Sequence, residues 1–303
     1  ATGNELDNTL WSSPDVHGNV LDGGLGADTM IATAVEGAFS SVSAIFVVDN
    51  VGDVVVAQAN GNIYDEVRSS IDYALGSYVE TLTLTGSANL VGIGNELGNQ
   101  LTGNGGPNVL MGLDGNDTFV GGAGDDTLIG GAGNDVYKFN TDNFSITPAG
   151  NDVIDNFDTA PDRNDVVVVT TALSNLQIIR VGDDLRIGWV PTYWAAFPAS
   201  MTVKSFYAAE NARDHRIDKL VFPDYSFLTS DQLAALGEQN LLPNAINGTE
   251  LADSNLAGTW RQDVISGFGG NDTIILSGGG DTAIPGTGAD YVVGSIGGLP
   301  DTL

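Results

Sequence analysis

The sequence predicts an all-β fold: a parallel β-roll or β-helix built from nonapeptide repeats, with a β-rich or α+β insert. Residues 94–138 read as five consecutive nine-residue units, GNELGNQLT, GNGGPNVLM, GLDGNDTFV, GGAGDDTLI and GGAGNDVYK. Residues 258–293 repeat the pattern as GTWRQDVIS, GFGGNDTII, LSGGGDTAI and PGTGADYVV. In addition, 41 glycines among 303 residues are too many for an ordinary helical protein. A tandem period of this length is typical of stacked, coil-forming chains.

Each unit combines a turn with a short strand. Glycines at the first, second and fourth positions permit the positive φ angles of a sharp turn. The strand that follows carries one apolar residue that we expect to point into the core. In order along the chain, these inward residues are Leu101, Leu110, Phe119, Leu128 and Tyr137. Alternate units should lie on the same edge of the roll.

The sixth position of each unit places polar side chains in a column on each edge. Asn99, Asp117 and Asp135 would share one edge, and Asn108 and Asp126 the other. Stacked turns lie about 4.8 Å apart, where two carboxylates repel by about 1 kcal/mol even in water. A hard divalent cation reverses the sign of this term. Calcium accepts six to eight oxygen ligands, from carboxylates and carbonyls, whereas zinc favours His or Cys.

These units match the form G-G-x-G-x-D-x-U-x, with U apolar, and the chain resembles the RTX (haemolysin-type calcium-binding repeat) family. The resemblance implies several bound calcium ions, held by sixth-position aspartates and turn carbonyls. Asn99 and Asn108 should bind more weakly or serve structurally. The alternative is a set of ordinary Gly/Asn/Asp turns without metal. The candidate metal residues are Asp28, Asn99, Asn108, Gly112, Asp114, Asp117, Gly121, Gly122, Ala123, Gly124, Asp126, Gly130, Gly131, Ala132, Gly133, Asp135, Asp263, Gly269, Asp272, Gly278, Asp281 and Asp290.

The remaining segments define three expected domains. Residues 1–138 contain N-terminal repeat-like units, including GGLGADTMI at 23–31, and a spacer that should carry the parallel stack up to the central repeats. Residues 139–245 would form a β-rich insert, whose segment 151–237 resembles an RTX-associated domain with a hairpin at 182–184 and a helix ending at Gly237. Residues 246–303 hold the second repeat block, with aspartates in phase for calcium.

One loop of the insert concentrates aromatic residues. Trp189, Tyr193, Trp194 and Phe197 stand close together in WVPTYWAAFPASM. Such a cluster can stack on sugar rings or anchor a protein interface. The alternative is that the loop folds down on its own sheet or on the roll.

The charge and composition exclude several classes of partner. Thirty-nine acidic and ten basic residues give a net charge of −29, which argues against nucleic acid and anionic membranes. Cysteine is absent, no apolar run reaches the roughly 20 residues of a membrane span, and the first residues lack the pattern of a signal peptide. The RTX resemblance implies type I secretion, so we expect a secreted or cell-surface protein of a bacterium.

The sequence contains little that suggests catalysis. His17 and His215 are isolated, and neither H-E-x-x-H nor G-x-S-x-G occurs. We therefore expect no enzymatic activity.

The expected function is that of an extracellular calcium-binding structural or adhesive module, whose folding and possible head-to-tail assembly are driven by calcium. One alternative is the non-catalytic C-terminal secretion or stabilisation part of a larger secreted enzyme. The other is a carbohydrate- or protein-binding module that uses the loop around Trp194.

Overall fold

The structure is a computed structural model, and two compact units divide the chain. The first comprises Ala1–Leu176, Val181–Trp189 and Phe197–Leu233, and the second Gln177–Arg180, Val190–Ala196 and Ala234–Leu303. The residues that the structure describes are 1–13, 19–32, 43–58, 64–139, 150–160, 163–189, 200–208, 212–239, 244–257, 263–276 and 281–294.

Short strands dominate the described residues. In chain order the elements are β1 (Thr9–Trp11), β2 (Asn19–Asp22), β3 (Thr29–Ile31), β4 (Ala44–Val48), β5 (Val54–Val56), β6 (Glu66–Ser69), β7 (Tyr73–Ala74), β8 (Thr81–Leu84), β9 (Val91–Ile93), β10 (Gln100–Thr102), β11 (Val109–Asp114), β12 (Thr118–Val120), β13 (Thr127–Ala132), β14 (Val136–Phe139), β15 (Asn151–Asp155), β16 (Val166–Val169), a 3-10 turn (Leu173–Asn175), β17 (Leu176–Val181), β18 (Asp184–Trp189), β19 (Ser200–Val203), α1 (Ala212–His215), β20 (Lys219–Val221), β21 (Phe227–Thr229), α2 (Ser230–Gln239), β22 (Asn244–Asn247), β23 (Leu256–Ala257), β24 (Asp263–Ser266), β25 (Thr273–Ile275), β26 (Thr282–Ile284) and β27 (Tyr291–Val293).

In the first unit, most strands up to β16 pair with the next but one along the chain, so the chain coils between two sheets. One sheet has the order β2-β4-β6-β8-β10-β12-β14-β16-β20-β21, and the opposite side contains β7-β9-β11-β13-β15-β19-β18. The strands β1, β3 and β5 form a further small sheet. Pairing is parallel except where β21 and β18 join their sheets. This architecture is the predicted parallel β-roll.

In the repeats, each strand pairs with the strand two nonapeptide units further along the chain. Gln100 pairs with Thr118, and Thr118 pairs with Val136 on the same side. One coil is therefore two nonapeptides, which confirms that alternate units share an edge. All five predicted inward residues, from Leu101 to Tyr137, have 0% exposure, and they form the central column of the core.

The same two sheets extend beyond the repeats in both directions. On the N-terminal side, β4, β6, β8 and β10 pair in parallel, so the spacer carries the stack as predicted. On the C-terminal side, Val136 pairs with Val166, and Val166 with Lys219. The position predicted as a domain boundary, residue 138, thus lies within a continuous pair of sheets.

The helix α2 begins with a reciprocal cap. The Thr229 N–H donates to Gln232 Oε1 at 2.9 Å, and the Gln232 N–H donates to Thr229 Oγ1 at 3.4 Å. Together these bonds satisfy free donors of the first turn. The predicted end at Gly237 is wrong by two residues, because the helix continues to Gln239.

The second unit repeats the coil on a smaller scale. The sheets β22-β24-β26 and β23-β25-β27 are parallel, and Val264 pairs with Thr282 in the two-unit register. Its core contains Ile265, Ile274, Leu276 and Ala283. Within the described parts of both units, no helix is long and apolar enough to cross a membrane.

Candidate metal centre

The described repeat turns with the full glycine and aspartate pattern share one backbone conformation, in which the second and fourth positions have positive φ. In the last two units of the central block these positions are Gly122, Gly124, Gly131 and Gly133, with φ from 99 to 143°. Leu113 occupies a second position with φ 81°. The turn conformation is therefore imposed by the stack even where a side chain makes it unfavourable.

The sixth-position aspartates of the central block point inward at the start of each strand. Asp117 and Asp135 are 0% exposed and Asp126 is 1% exposed. The Asn99 N–H donates to Asp117 Oδ1 at 2.7 Å, and the Asp117 N–H donates to Asp135 Oδ1 at 2.9 Å. On the other edge, the Asn108 N–H donates to Asp126 Oδ1 at 2.7 Å. One oxygen of each carboxylate is thus held by the backbone of the preceding turn on its edge.

The second oxygen of each carboxylate is buried and has no hydrogen-bond partner. This holds for Oδ2 of Asp28, Asp117, Asp126, Asp135 and Asp272. Such a group loses its hydration without compensation, which costs free energy. The five atoms are the strongest indication that the turns are built to hold a ligand.

The first-position glycines leave the space into which these oxygens point. A Cβ on Gly112 would collide with Asp117 Oδ2 and would lie 2.6 Å from the carbonyl oxygen of Gly130 in the next turn. A Cβ on Gly267 would likewise collide with Asp272 Oδ2 and with the Pro285 carbonyl oxygen. A carboxylate and a stacked carbonyl therefore converge beside each of these glycines, and both are oxygen acceptors.

Burial shifts the acidity of this column. Desolvation raises the pKa of Asp117 to about 6, that of Asp126 to about 7 and that of Asp135 to about 8. The backbone hydrogen bonds oppose the shift only in part, and neighbouring carboxylates add to it. A bound cation would restore the ionised form.

The donor set fits calcium. Within the described ranges, no group of three or more His, Cys, Asp or Glu side chains that could hold a metal ion converges. Backbone carbonyls would have to complete the shell, and calcium accepts carbonyl and carboxylate oxygens together. The residues that would hold it include Asp117 and Gly130 on one edge and Asp272 and Pro285 in the second unit.

The two asparagine turns are arranged differently. The Asn95 N–H donates to Asn99 Oδ1 at 2.7 Å, so that oxygen is already occupied. Asn95 Nδ2 donates to the carbonyls of Gly76 and Val79, both at 2.8 Å. The side-chain amide thus occupies carbonyls of the adjacent turn that could otherwise face a cation. This arrangement favours a structural role for the asparagine turns.

Asn104 and Asn108 repeat this pattern on the other edge. The Asn104 N–H donates to Asn108 Oδ1 at 2.7 Å. Asn104 Nδ2 donates to the carbonyls of Thr85 and Ala88, both at 3.0 Å.

Most of the other predicted metal residues lie in equivalent places. Asp28 is 1% exposed and accepts the Asn8 N–H at 2.7 Å. In the second unit, the Asp263 N–H donates to Asp281 Oδ1, and the Asp272 N–H donates to Asp290 Oδ1, both at 2.9 Å. The predicted turn positions of the central block and second unit that the structure describes are Gly112, Gly121, Gly122, Ala123, Gly124, Gly130, Gly131, Ala132, Gly133 and Gly269.

The remaining predicted residues differ in their outcome. Asp114 is exposed at the end of β11. Gly278 and the loop residues Tyr193, Trp194 and Phe197 lie outside the described residues, and Trp189 is the last residue of β18. The proposed ligand loop therefore stays a prediction.

The sequence analysis missed two aspartates that continue the column. The Asp126 N–H donates to Asp152 Oδ1 at 3.1 Å, and the Asp135 N–H donates to Asp165 Oδ1 at 2.9 Å. Burial raises the pKa of Asp152 to about 8. The signal was the triplet N-D-V at 151–153 and 164–166, which keeps the fifth to seventh positions of the unit GGAGNDVYK without its first two glycines.

A comparison with protein-family models agrees with this geometry. A family model for the RTX calcium-binding nonapeptide repeat matches four copies, at residues 102–137 and 258–283. The search of curated proteins gave no match. Among solved structures, the chain is similar to the crystal structure of the extracellular lipase LipA from Serratia marcescens, with 19% identity and a TM-score of 0.31. That similarity covers 84% of this chain and 32% of the lipase chain, so this chain spans about a third of it.

Proposed function

Because the RTX calcium-binding repeat matches this chain in four copies, we propose that calcium bound at its repeat turns drives the folding of an extracellular structural or adhesive module. The observation that carries the proposal is the set of buried, unpartnered carboxylate oxygens beside the first-position glycines. The ion would neutralise these carboxylates and join successive turns. The chain itself supplies the oxygens, excludes water from them and fixes their spacing.

Linkage gives the expected size of the effect. A site that binds only the folded state contributes about 2.7 kcal/mol when calcium is at 100 times its dissociation constant. Several such sites can decide whether a chain with net charge −29 folds at all. We propose that the chain stays unfolded in low cytosolic calcium and folds in millimolar external calcium, which suits a protein secreted by a bacterium.

The test is a calcium titration followed by far-UV circular dichroism and thermal unfolding. We expect the wild type to gain β-structure and melting temperature with calcium. The triple variant Asp117→Asn, Asp126→Asn, Asp135→Asn should lose most of the calcium-dependent gain of the central block, because amides replace the ionised oxygens. Asp224→Asn is the matched control, since Asp224 accepts hydrogen bonds from Ser226 in an exposed turn. Identical spectra and melting points with and without calcium would sink the proposal.

We also propose that folded copies self-associate. Within the described residues, the outermost strand β1 pairs with β3 on one side only, and such a strand can pair with another chain. Light scattering across the titration should then show a size increase that accompanies folding. A monomer at every calcium concentration would contradict self-association and leave calcium-driven folding intact.

A non-catalytic role completes the proposal. The sequence contains no cysteine, no H-E-x-x-H and no G-x-S-x-G, and its sixth-position aspartates lie in the repeat turns. Hydrolase activity that copurifies with the chain and disappears with a single point substitution would contradict this.

A further inference from the structure

Arg163 places a cationic side chain between two stacked turns beyond the last repeat. Residues 163–165 directly precede β16, and residues 212–218 directly precede β20. These strands follow β14 in the same sheet, with Val136 paired to Val166 and Val166 to Lys219. The two turns therefore stack on the edge that carries Asp117 and Asp135. The Arg163 side chain is only 3% exposed.

The guanidinium is surrounded by backbone carbonyls from both turns. Arg163 Nη1 donates to the carbonyl oxygens of Asp158 at 2.7 Å and of Asp214 at 2.6 Å. Arg163 Nη2 donates to the carbonyl oxygen of Arg216 at 2.7 Å. One carbonyl belongs to the earlier turn and two belong to the later one. The side chain thus joins the two turns through backbone carbonyl oxygens that do not belong to strands.

Two carboxylates complete the surroundings. Arg163 Nε lies 3.7 Å from Asp165 Oδ2 and 3.8 Å from Asp218 Oδ2. The ladder continues through both aspartates, because the Asp135 N–H donates to Asp165 and the Asp165 N–H donates to Asp218 at 2.9 Å. Asp165 is 0% exposed, so its charge needs a partner close by.

A polar chain links this cation to the last repeat turn. Tyr137 Oη donates to Asn156 Oδ1 at 2.7 Å, and Asn156 Nδ2 donates to Asp165 Oδ2 at 3.0 Å. Asn156 is 1% exposed and also donates to the Arg216 carbonyl at 3.1 Å. Hydrogen bonds that begin at Tyr137 in the last repeat thereby hold two of the oxygens around Arg163, those of Asp165 and Arg216, in place.

We propose that the Arg163 guanidinium is a resident cation that occupies the place which calcium takes between the repeat turns. Three carbonyls and two carboxylates from two stacked turns form an oxygen shell of the kind that calcium accepts. A guanidinium remains charged at any working pH and offers five donors in a fixed plane. The two turns at this end of the roll are therefore held together without calcium. The comparison with calcium rests on the proposed function, whereas the role of Arg163 in joining the two turns does not.

The first test is hydrogen exchange on the wild type after calcium is chelated. We expect the amides of β16 and β20 to stay protected, while those of β12 to β14 lose protection. Loss of protection in β16 and β20 together with the repeats would overturn the inference. If the repeats do not respond to calcium at all, the proposed function fails, and Arg163 is still judged by its own variants.

The second test compares Arg163→Ala with Arg68→Ala, whose side chain is 48% exposed and paired with Glu66 on the surface. In calcium-free buffer, Arg163→Ala should speed exchange in β16 and β20 by about tenfold or more, the factor expected from losing charge-assisted hydrogen bonds. Arg68→Ala should leave these amides unchanged. Arg163→Lys, which keeps the charge with fewer donors, should fall between the wild type and Arg163→Ala.

Calcium addition to Arg163→Ala decides whether the emptied place is a cation site. We expect millimolar calcium to restore protection of β16 and β20 in this variant. Unchanged exchange in calcium-free Arg163→Ala would overturn the resident role of the guanidinium. Failure of calcium to restore protection would overturn its equivalence to the metal.

Discussion

At the scale of single residues, the aspartates of the turns decide how the protein responds to its solution. Asp117, Asp126 and Asp135 are buried with one oxygen held by an N–H and the other without a partner. Each is costly to ionise in the absence of a cation and favourable to ionise in its presence. The same atoms thus couple stability to both pH and calcium.

This coupling predicts a pH dependence for the calcium-free protein. The folded-state pKa values of Asp117, Asp126 and Asp135 are about 6, 7 and 8, above the value of 3.8 for an exposed aspartate. At pH values between the pKa of an exposed aspartate and these raised pKa values, the folded state binds more protons than the unfolded state. The free energy of unfolding therefore falls as pH rises through this range. Denaturant unfolding after chelation should therefore show less stability at about pH 8 than at about pH 5.

The calcium-bound protein should show the opposite trend, because acid protonates the carboxylates that would bind the ion. The triple asparagine variant is the control: its calcium-free stability should change less with pH. A wild-type profile that rises toward pH 8 without calcium would contradict the burial argument.

Turn glycines give a second prediction at this scale. A Cβ on Gly131, where φ is 99°, would collide with the carbonyl oxygen of Leu113 in the stacked turn. Gly131→Ala should therefore lower the free energy of unfolding by about 2–4 kcal/mol, from strain and overpacking together. Gly182→Ala is the matched control. The φ of Gly182 is also positive, at 63°, but an added Cβ would have no atom within 4 Å other than those of Gly182 and its chain neighbours. Equal losses in the two variants, measured by denaturant unfolding, would show that stacking does not constrain the turn.

At the scale of elements, each coil is joined to the next by side chains as well as by strand pairing. Asn104 is 9% exposed, and its amide donates to the Thr85 and Ala88 carbonyls of the adjacent turn. Its oxygen accepts the Gly106 N–H at 2.8 Å. One side chain here connects two turns without a metal.

Asn104→Ala should therefore weaken the start of the central block independently of calcium. We expect a loss of about 1–3 kcal/mol in the free energy of unfolding, because buried carbonyls lose their donor. Urea unfolding should give the same loss with and without calcium. Asn175→Ala removes an amide that bonds Thr171 outside the repeat turns, and it should cost less. If calcium abolished the loss at Asn104, the amide and the ion would be interchangeable at that turn.

The sequence predicted the coil where glycine and aspartate coincide and failed where only part of the pattern remains. The period placed Phe119 and Tyr137 in the core and paired their strands correctly. Asp152 and Asp165 were not predicted, because long insertions separate them from the repeats in sequence although their strands lie adjacent in the sheets. The role proposed for Arg163 could not be predicted either, because two of its three carbonyl partners, in Asp214 and Arg216, lie more than 50 residues away.

At the scale of the whole molecule, the repeats are divided between two compact units. The matched residues 102–137 belong to the first unit, and residues 258–283 to the second. Each unit has its own ladder, with Asp117 bonded to the Asp135 carboxylate in one and Asp272 to Asp290 in the other. Calcium should therefore act on each unit through its own turns.

Single substitutions should separate the two responses. Asp272→Asn should reduce the calcium-dependent exchange protection of β25 and β27 and leave that of β12 and β14 intact. Asp117→Asn should do the reverse, because each aspartate lies in the ladder of its own unit. Hydrogen exchange with and without calcium measures both in one experiment. A parallel loss in both units from either variant would contradict independent ladders.

The ladder bonds all run in one direction along the chain. From Asn99 to Asp117, Asp135, Asp165 and Asp218, the N–H of the earlier turn donates to the carboxylate of the later turn. A column of this kind is polar, because each turn offers its N–H to the turn that follows it and its carboxylate to the turn that precedes it. Only unlike ends can continue it, so copies joined by the same bonds would all point the same way, and the product would be a polar fibre with distinguishable ends.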